Sequence, residues 1–234
     1  VSLKDLKAGD VLVTPWGNVR PSWFLQMAAT AAKALPAVTV VVTDEDKTFP
    51  HLENLRAIWA GGLGLSPAAW LAGGRVAGGE GAEGVPTLDE LLGYGVHPLA
   101  IRAWLLSTSY HKPLSATPEA LAMWERNRSR VQELAANLHL AATGEGAPTQ
   151  GAATEAERLE AALEAALADD LAVYHFWPAL FAFCRFANGG LAAGGLPPGD
   201  AARLLAALGR ADAALLLLDP TRLPVPRPLW PAEA

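Results

Sequence analysis

The chain has a single cysteine, Cys184, so neither an internal disulfide nor a multi-cysteine metal site can form. It also lacks a surplus of positive charge. Eighteen Lys and Arg stand against 24 Asp and Glu, a formal net charge of -6, so nothing sequence-wide attracts a polyanion and any RNA contact must be a local patch. Runs of membrane-spanning length are missing too; Ala213–Leu218, an apolar stretch between Asp212 and Asp219, is far too short. The opening residues, Val1-Ser2-Leu3-Lys4-Asp5-Leu6-Lys7, carry no signal-peptide apolar core. These absences set the expectation of a cytoplasmic protein with no membrane contact, no cofactor and no bound metal.

Of 234 residues, 51% are hydrophobic and 18% charged, and the apolar surplus lies in Ala and Leu, the composition of packed helices. The exception comes early. Ala37-Val38-Thr39-Val40-Val41-Val42-Thr43 is β-branched and bounded by Pro36 and Asp44, which predicts a buried strand. An Ala-rich helix over Trp23–Leu35, with Ser22 as N-cap, precedes it. Residues 61–86 are dense in glycine and read as turns and loops around a short element at Pro67–Ala72.

From Thr87 the pattern is helical, opened by the capping box Thr87-Leu88-Asp89-Glu90. Helices are predicted over Leu88–Tyr94, Pro98–Ser107, Pro118–Ala142, Thr154–Leu167, Tyr174–Gly189 and Gly199–Leu208, with a separate short segment at Ala211–Leu218. Thr143–Ala153 reads as a mobile linker. Pro224, Pro226, Pro228 and Pro231 predict an extended tail after Pro220. The expected fold class is thus mostly α: a partial α/β unit over residues 1–86, then an α-helical bundle over 87–219 and a Pro-rich tail over 220–234.

Four segments, in order, resemble landmarks of the cysteinyl-tRNA synthetases, class I enzymes that join cysteine to its tRNA. Thr14-Pro15-Trp16-Gly17-Asn18-Val19-Arg20-Pro21-Ser22-Trp23-Phe24-Leu25-Gln26-Met27 is similar to Ser-Pro-Trp-Gly-x-Gly-Arg-Pro-Gly-Trp-His-Ile-Glu-Cys. Phe49-Pro50-His51-Leu52-Glu53-Asn54-Leu55 is similar to Phe-Pro-His-His-Glu-Asn-Glu. Tyr110-His111-Lys112-Pro113-Leu114 resembles the end of a helix reading Leu-Leu-Ser-x-x-Tyr-Arg-x-Pro-Leu, and Ala168-Asp169-Asp170-Leu171 resembles the Asp-Asp-Leu start of a bundle helix. The resemblance spans about residues 8–194 and implies that the α/β unit over 1–86 is half of a nucleotide-binding, Rossmann-like fold, the remnant of a synthetase catalytic domain.

The departures concern the chemistry. The family's His-Ile-Gly-His sequence, which grips ATP phosphates, does not occur in these residues. Where the resemblance would place the Lys-Met-Ser-Lys-Ser loop, the chain reads Ala77-Gly78-Gly79-Glu80-Gly81-Ala82-Glu83-Gly84, carboxylates where a phosphoryl-bearing transition state needs fixed positive charge. In the family, two Cys, a His and a Glu hold zinc, which recognises the substrate thiol. His51 matches the histidine, but Met27 stands at a cysteine position and Leu55 at the glutamate position. The glycine-rich adenosine turn corresponds to Val41-Val42-Thr43-Asp44-Glu45-Asp46, of which only Asp46 matches.

The resemblance therefore implies a ligand-pocket remnant at Trp23, Asp46, His51, Glu53 and Asn54, with no catalytic residue and no metal ligand set. Simpler readings stand beside it: Trp23 as a core aromatic, His51 as a hydrogen-bonding residue, Glu53 and Asn54 as helix-start residues, Asp44-Glu45-Asp46 as a solvated acidic turn or a cation site. The basic candidates for RNA contact are His111, Lys112, Arg126, Arg128 and Arg130, although arginines two apart spread around a helix and Glu125 and Glu133 dilute them. Half of a parallel sheet leaves a strand edge to be covered, so a protein partner or a homodimer is expected, with Trp59, Trp70 and Trp104 as interface candidates and tRNA as a second possible partner. The expected function is a synthetase-related protein unable to form an aminoacyl adenylate alone, acting by binding. The alternatives are a repurposed enzyme or binding protein for an amino-acid-like ligand, and half of a split cysteine–tRNA ligase.

Overall fold

A computed structural model describes residues 12–15, 17–19, 23–35, 37–78 and 84–219. Ser22 and the Pro-rich segment 220–234 lie outside the described residues. The chain forms two compact units, residues 1–75 and 76–234.

In the first unit, β1 (Leu12–Thr14) pairs antiparallel with β2 (Gly17–Val19), followed by α1 (Trp23–Ala34) and β3 (Val40–Asp44). A short turn over Glu45–Lys47 and a wide turn over Thr48–Leu52 lead into α2 (Glu53–Ile58), and β4 (Ala69–Gly73) returns parallel to β3 with Val41 opposite Trp70. The core beneath this ribbon is small: Ala28, Leu55 and Trp59 are buried, with Met27, Val41 and Trp70 packed on them. The Trp59 indole N–H donates to the Ala28 carbonyl at 3.3 Å, and its ring lies 5.8 Å from that of Trp70.

One expectation fails here. β3 is not a buried strand, because side chains alternate across a strand and only one face meets the helices. Val41 is covered, while Val40 and Val42 are 49% and 72% exposed.

In the second unit, which begins at Val76, β5 (Val76–Gly78) pairs parallel with β6 (Leu114–Ala116). The helices are α3 (Leu88–Gly93), α4 (Pro98–Leu105), α5 (Pro118–Ala141), α6 (Gln150–Ala168), α7 (Phe176–Ala192) and α8 (Pro198–Leu215). The expected capping box forms: the Thr87 backbone N–H donates to Glu90 Oε2 at 2.7 Å, and Glu90 N–H to Thr87 Oγ1 at 3.3 Å. Thr117 and Thr149 cap α5 and α6 through their hydroxyls. Phe176, Leu180 and Phe183 of α7 pack with Leu134 and Leu138 of α5, Leu159 of α6, and Leu204 and Leu208 of α8 in one continuous core. Among the described residues no helix is long and apolar enough to cross a membrane.

Two buried carboxylates account for where the sequence reading missed. The Asp200 carboxylate accepts from the Thr149 backbone N–H (2.5 Å) and hydroxyl (2.9 Å), so the presumed mobile linker is tied to α8, and α6 begins at Gln150 rather than Thr154. Gly199 permits this approach, since a Cβ there would sit 2.7 Å from Ala147. Asp212 accepts from the Leu217 and Leu218 N–H groups at 2.7 Å each, so α8 runs unbroken through Ala211 to Leu215 and the turn beyond it folds into the core. Asp200→Ala leaves the Thr149 donors without their acceptor and is expected to lower unfolding stability by about 2 kcal/mol in urea. An unchanged midpoint would contradict this assignment.

Candidate functional site

At the C-terminal end of β3, where ligands of parallel sheets usually sit, the chain places carboxylates. The Asp44 side chain accepts from the Asp46 N–H at 3.0 Å, closing the turn, and Asp46 forms an ion pair with Arg75 just beyond β4. The one matching residue of the adenosine turn is thus engaged with a partner that the sequence reading did not single out. Both side chains are more than half exposed, and such a pair adds little to stability.

His51 is half-buried, its ring 4.9 Å from that of Phe24. Glu53 and Asn54 are exposed at the start of α2. Trp23 opens α1; its side chain lies outside the described residues. Met27 and Leu55, which stand where the resemblance calls for a cysteine and a glutamate, both pack in the small core, Leu55 with only 3% exposure. A thioether and an isobutyl group offer zinc neither a thiolate nor a carboxylate. Among the described residues no three His, Cys, Asp or Glu side chains are grouped to hold a metal ion.

The second unit brings the third and fourth landmark segments together. Asp170 accepts from the Tyr110 hydroxyl at 2.8 Å and lies 2.9 Å from His111 Nε2. The turn that presents it is strained, with φ of 48° at Asp170 and 55° at Leu171, a region that non-glycine residues rarely adopt. The Tyr110 hydrogen bond, then that from His111, holds the Asp170 carboxyl below its usual range, while the same carboxylate raises the Tyr110 pKa. Nothing in the spacing of the two segments announces this meeting; only the resemblance singled out both.

The basic patch is divided. Arg126 and Arg130 are exposed on α5 and Lys112 is exposed beside β6. Arg128 instead is buried at 7% exposure and donates through Nε (3.2 Å) and Nη2 (2.7 Å) to Glu125. Burial works to raise the Glu125 pKa, but the bonds from Arg128 and from the His97 backbone N–H outweigh it and leave it lowered. Arg128 therefore is not presented to an outside phosphate, and His111 already faces a carboxylate. The tryptophans expected at an interface also differ: Trp59 and Trp104 are each only 3% exposed and serve cores, and Trp70 is half-buried against Trp59.

No family model matches the chain. It is 35% identical over 135 residues to the cysteine–tRNA ligase of Prochlorococcus marinus, covering 53% of this chain and 27% of that protein. It is 34% identical over 227 residues to that of Micrococcus luteus, covering 92% of this chain and 45% of that protein. Among solved structures, a LeuRS from Agrobacterium radiobacter in a ternary complex with tRNA and LeuAMS is similar in fold, with a TM-score of 0.60, 17% identity, and coverage of 88% of this chain and 32% of that one. The chain is thus a class I aminoacyl-tRNA-synthetase-like protein. Within that class it is a relative of the cysteine–tRNA ligases, and it spans between about a quarter and under half of the length of those two relatives.

Two measurements check this geometry. Because a carboxylate acceptor favours the protonated phenol, Tyr110 titrates above its ordinary 10.0, and Asp170→Ala should bring it back toward that value in ultraviolet difference titration. The sign for stability follows: the Asp170 contribution is complete above its ordinary 3.8 and lost as pH falls through the lowered value, and that of Tyr110 is complete below 10.0 and lost as pH rises through the raised one. Burial pushes the Cys184 thiol up to about 11, so native protein at pH 8 should react with a thiol reagent far more slowly than urea-unfolded protein. Equal rates would place Cys184 at the surface.

Proposed function

We propose that this cysteine–tRNA-ligase-related chain works by binding and does not, with these residues alone, form an aminoacyl adenylate. The observation that carries the reading is the packing of Met27 and Leu55 in the core of the first unit, at the positions where the resemblance calls for zinc ligands. The acidic sequence Glu80 to Glu83, which lies outside the described residues, points the same way, since the resemblance puts there the lysine loop whose positive charge a triphosphate needs.

The binding surface is the free face of the β3–β4 ribbon. Parallel strands are ordinarily covered on both faces, yet Val40 and Val42 stand exposed opposite the covered side of β3. On β3 this face holds Val40 and Val42, with the carboxylate Asp44 at its C-terminal end, which suits an apolar protein surface and not a phosphate backbone. The occupant is a second copy of the chain, because an apolar strip such as Val40 and Val42 is complementary to itself across a two-fold axis. tRNA is the weaker reading, since of the five basic candidates only Lys112, Arg126 and Arg130 are exposed and without a carboxylate contact of the kind that holds Arg128 and His111.

Light scattering during size-exclusion tests the surface. The expected result is a dimer that Val42→Glu converts to monomer with unchanged helicity. A wild-type monomer at all concentrations would overturn the second-copy reading, and a tRNA shift that weakens steeply with salt would favour the RNA one.

A further inference from the structure

In the second unit, α4, α5, α7 and the turn after α8 meet around a cavity of about 10 Å³, the least space that admits one water molecule. Its walls are mostly aromatic. The Trp124 and Trp177 rings lie 4.6 Å apart and those of Trp177 and Phe181 are stacked at 6.2 Å. Two polar residues of α5, Asn127 and Arg128, also line the space.

Arg128 is only partly satisfied by its surroundings. Glu125 Oε1 accepts from its Nε at 3.2 Å and from its Nη2 at 2.7 Å, yet Nη1 is buried and meets no acceptor among the described residues. The whole residue is 7% exposed, so bulk solvent does not supply one. The half-buried Asn127 side-chain amide likewise makes no hydrogen bond to a described residue. A buried N–H that finds no acceptor keeps its full desolvation cost, which makes this corner of the core a place where a small acceptor is retained.

We propose that the cavity is a binding site for one water molecule, which accepts from Arg128 Nη1 and donates to the Asn127 side-chain carbonyl. The two polar groups meet the minimum that a buried water needs, and the volume admits nothing larger. A halide ion is disfavoured on charge. Glu125 already balances the guanidinium, and the faces of aromatic rings carry negative potential. The His97 backbone N–H donates to Glu125 Oε2 at 3.1 Å, so the water extends a chain that runs from the start of α4 through Glu125 and Arg128 to Asn127. Within that chain the ion pair is one link of a buried network rather than an isolated bridge.

A crystal structure of the intact chain, refined to better than about 1.8 Å, should show one oxygen peak within about 3.2 Å of Arg128 Nη1 and of Asn127. Soaking in bromide should leave no anomalous peak there. A second readout is a double-mutant cycle in urea. Val131 lines the same cavity, and Val131→Ile adds one methyl group that takes the place of the water. In the parent chain this change should lower the unfolding midpoint, because Nη1 loses its acceptor; with Arg128→Met also present it should leave the midpoint unchanged or raise it. A bromide peak, a side chain turned in to accept from Nη1, or equal midpoint shifts in the two backgrounds would overturn the proposal.

Discussion

A parallel pair of strands served by a single helical layer buries one face and leaves the other open, and the character of the first unit depends on that constraint. Val41 and Trp70 pack toward Ala28, Leu55 and Trp59, while Val40 and Val42 face away. Among the described residues, the buried Ala28, Leu55 and Trp59 make a small core by the standard of the second unit, where Phe176, Phe183 and six leucines are almost completely enclosed. Among the described residues the open face and the small core go together, and both are relieved by anything that covers the ribbon.

The same economy governs the ligand end of the unit. A site that selects cysteine through zinc keeps polar ligands aimed into a cavity, and such groups cost stability when no metal neutralises them. With methionine at 27 and leucine at 55 those positions contribute apolar packing, and Asp46 is held by Arg75. The landmark segments keep their order along the chain, while Met27 and Leu55 serve the core and Asp46 an exposed ion pair.

Much of the helical unit was legible because helices announce themselves locally. The Thr87 to Glu90 capping box, Pro118 at the first turn of α5 and the apolar periodicity all act within a few residues, and the structure places helices where they predict. What was not legible depends on partners far along the chain. Asp200 reaches back 51 positions to fix the start of α6, Asp170 lies 60 positions from Tyr110, and Glu125 turns Arg128 from a basic candidate into a buried ion pair. β3 misled for another reason: a β-branched run reads as buried on both faces unless the number of strands beside it is known. The remnant pocket was legible as positions but not as contacts, since only folding shows that Met27 and Leu55 share one core.

The central claim is that these residues bind and do not activate cysteine. Exchange of pyrophosphate into ATP, dependent on cysteine and run on the purified chain with and without tRNA, tests it most directly. The account predicts exchange indistinguishable from a protein-free control in both conditions; cysteine-dependent exchange that scales with the amount of chain would contradict it.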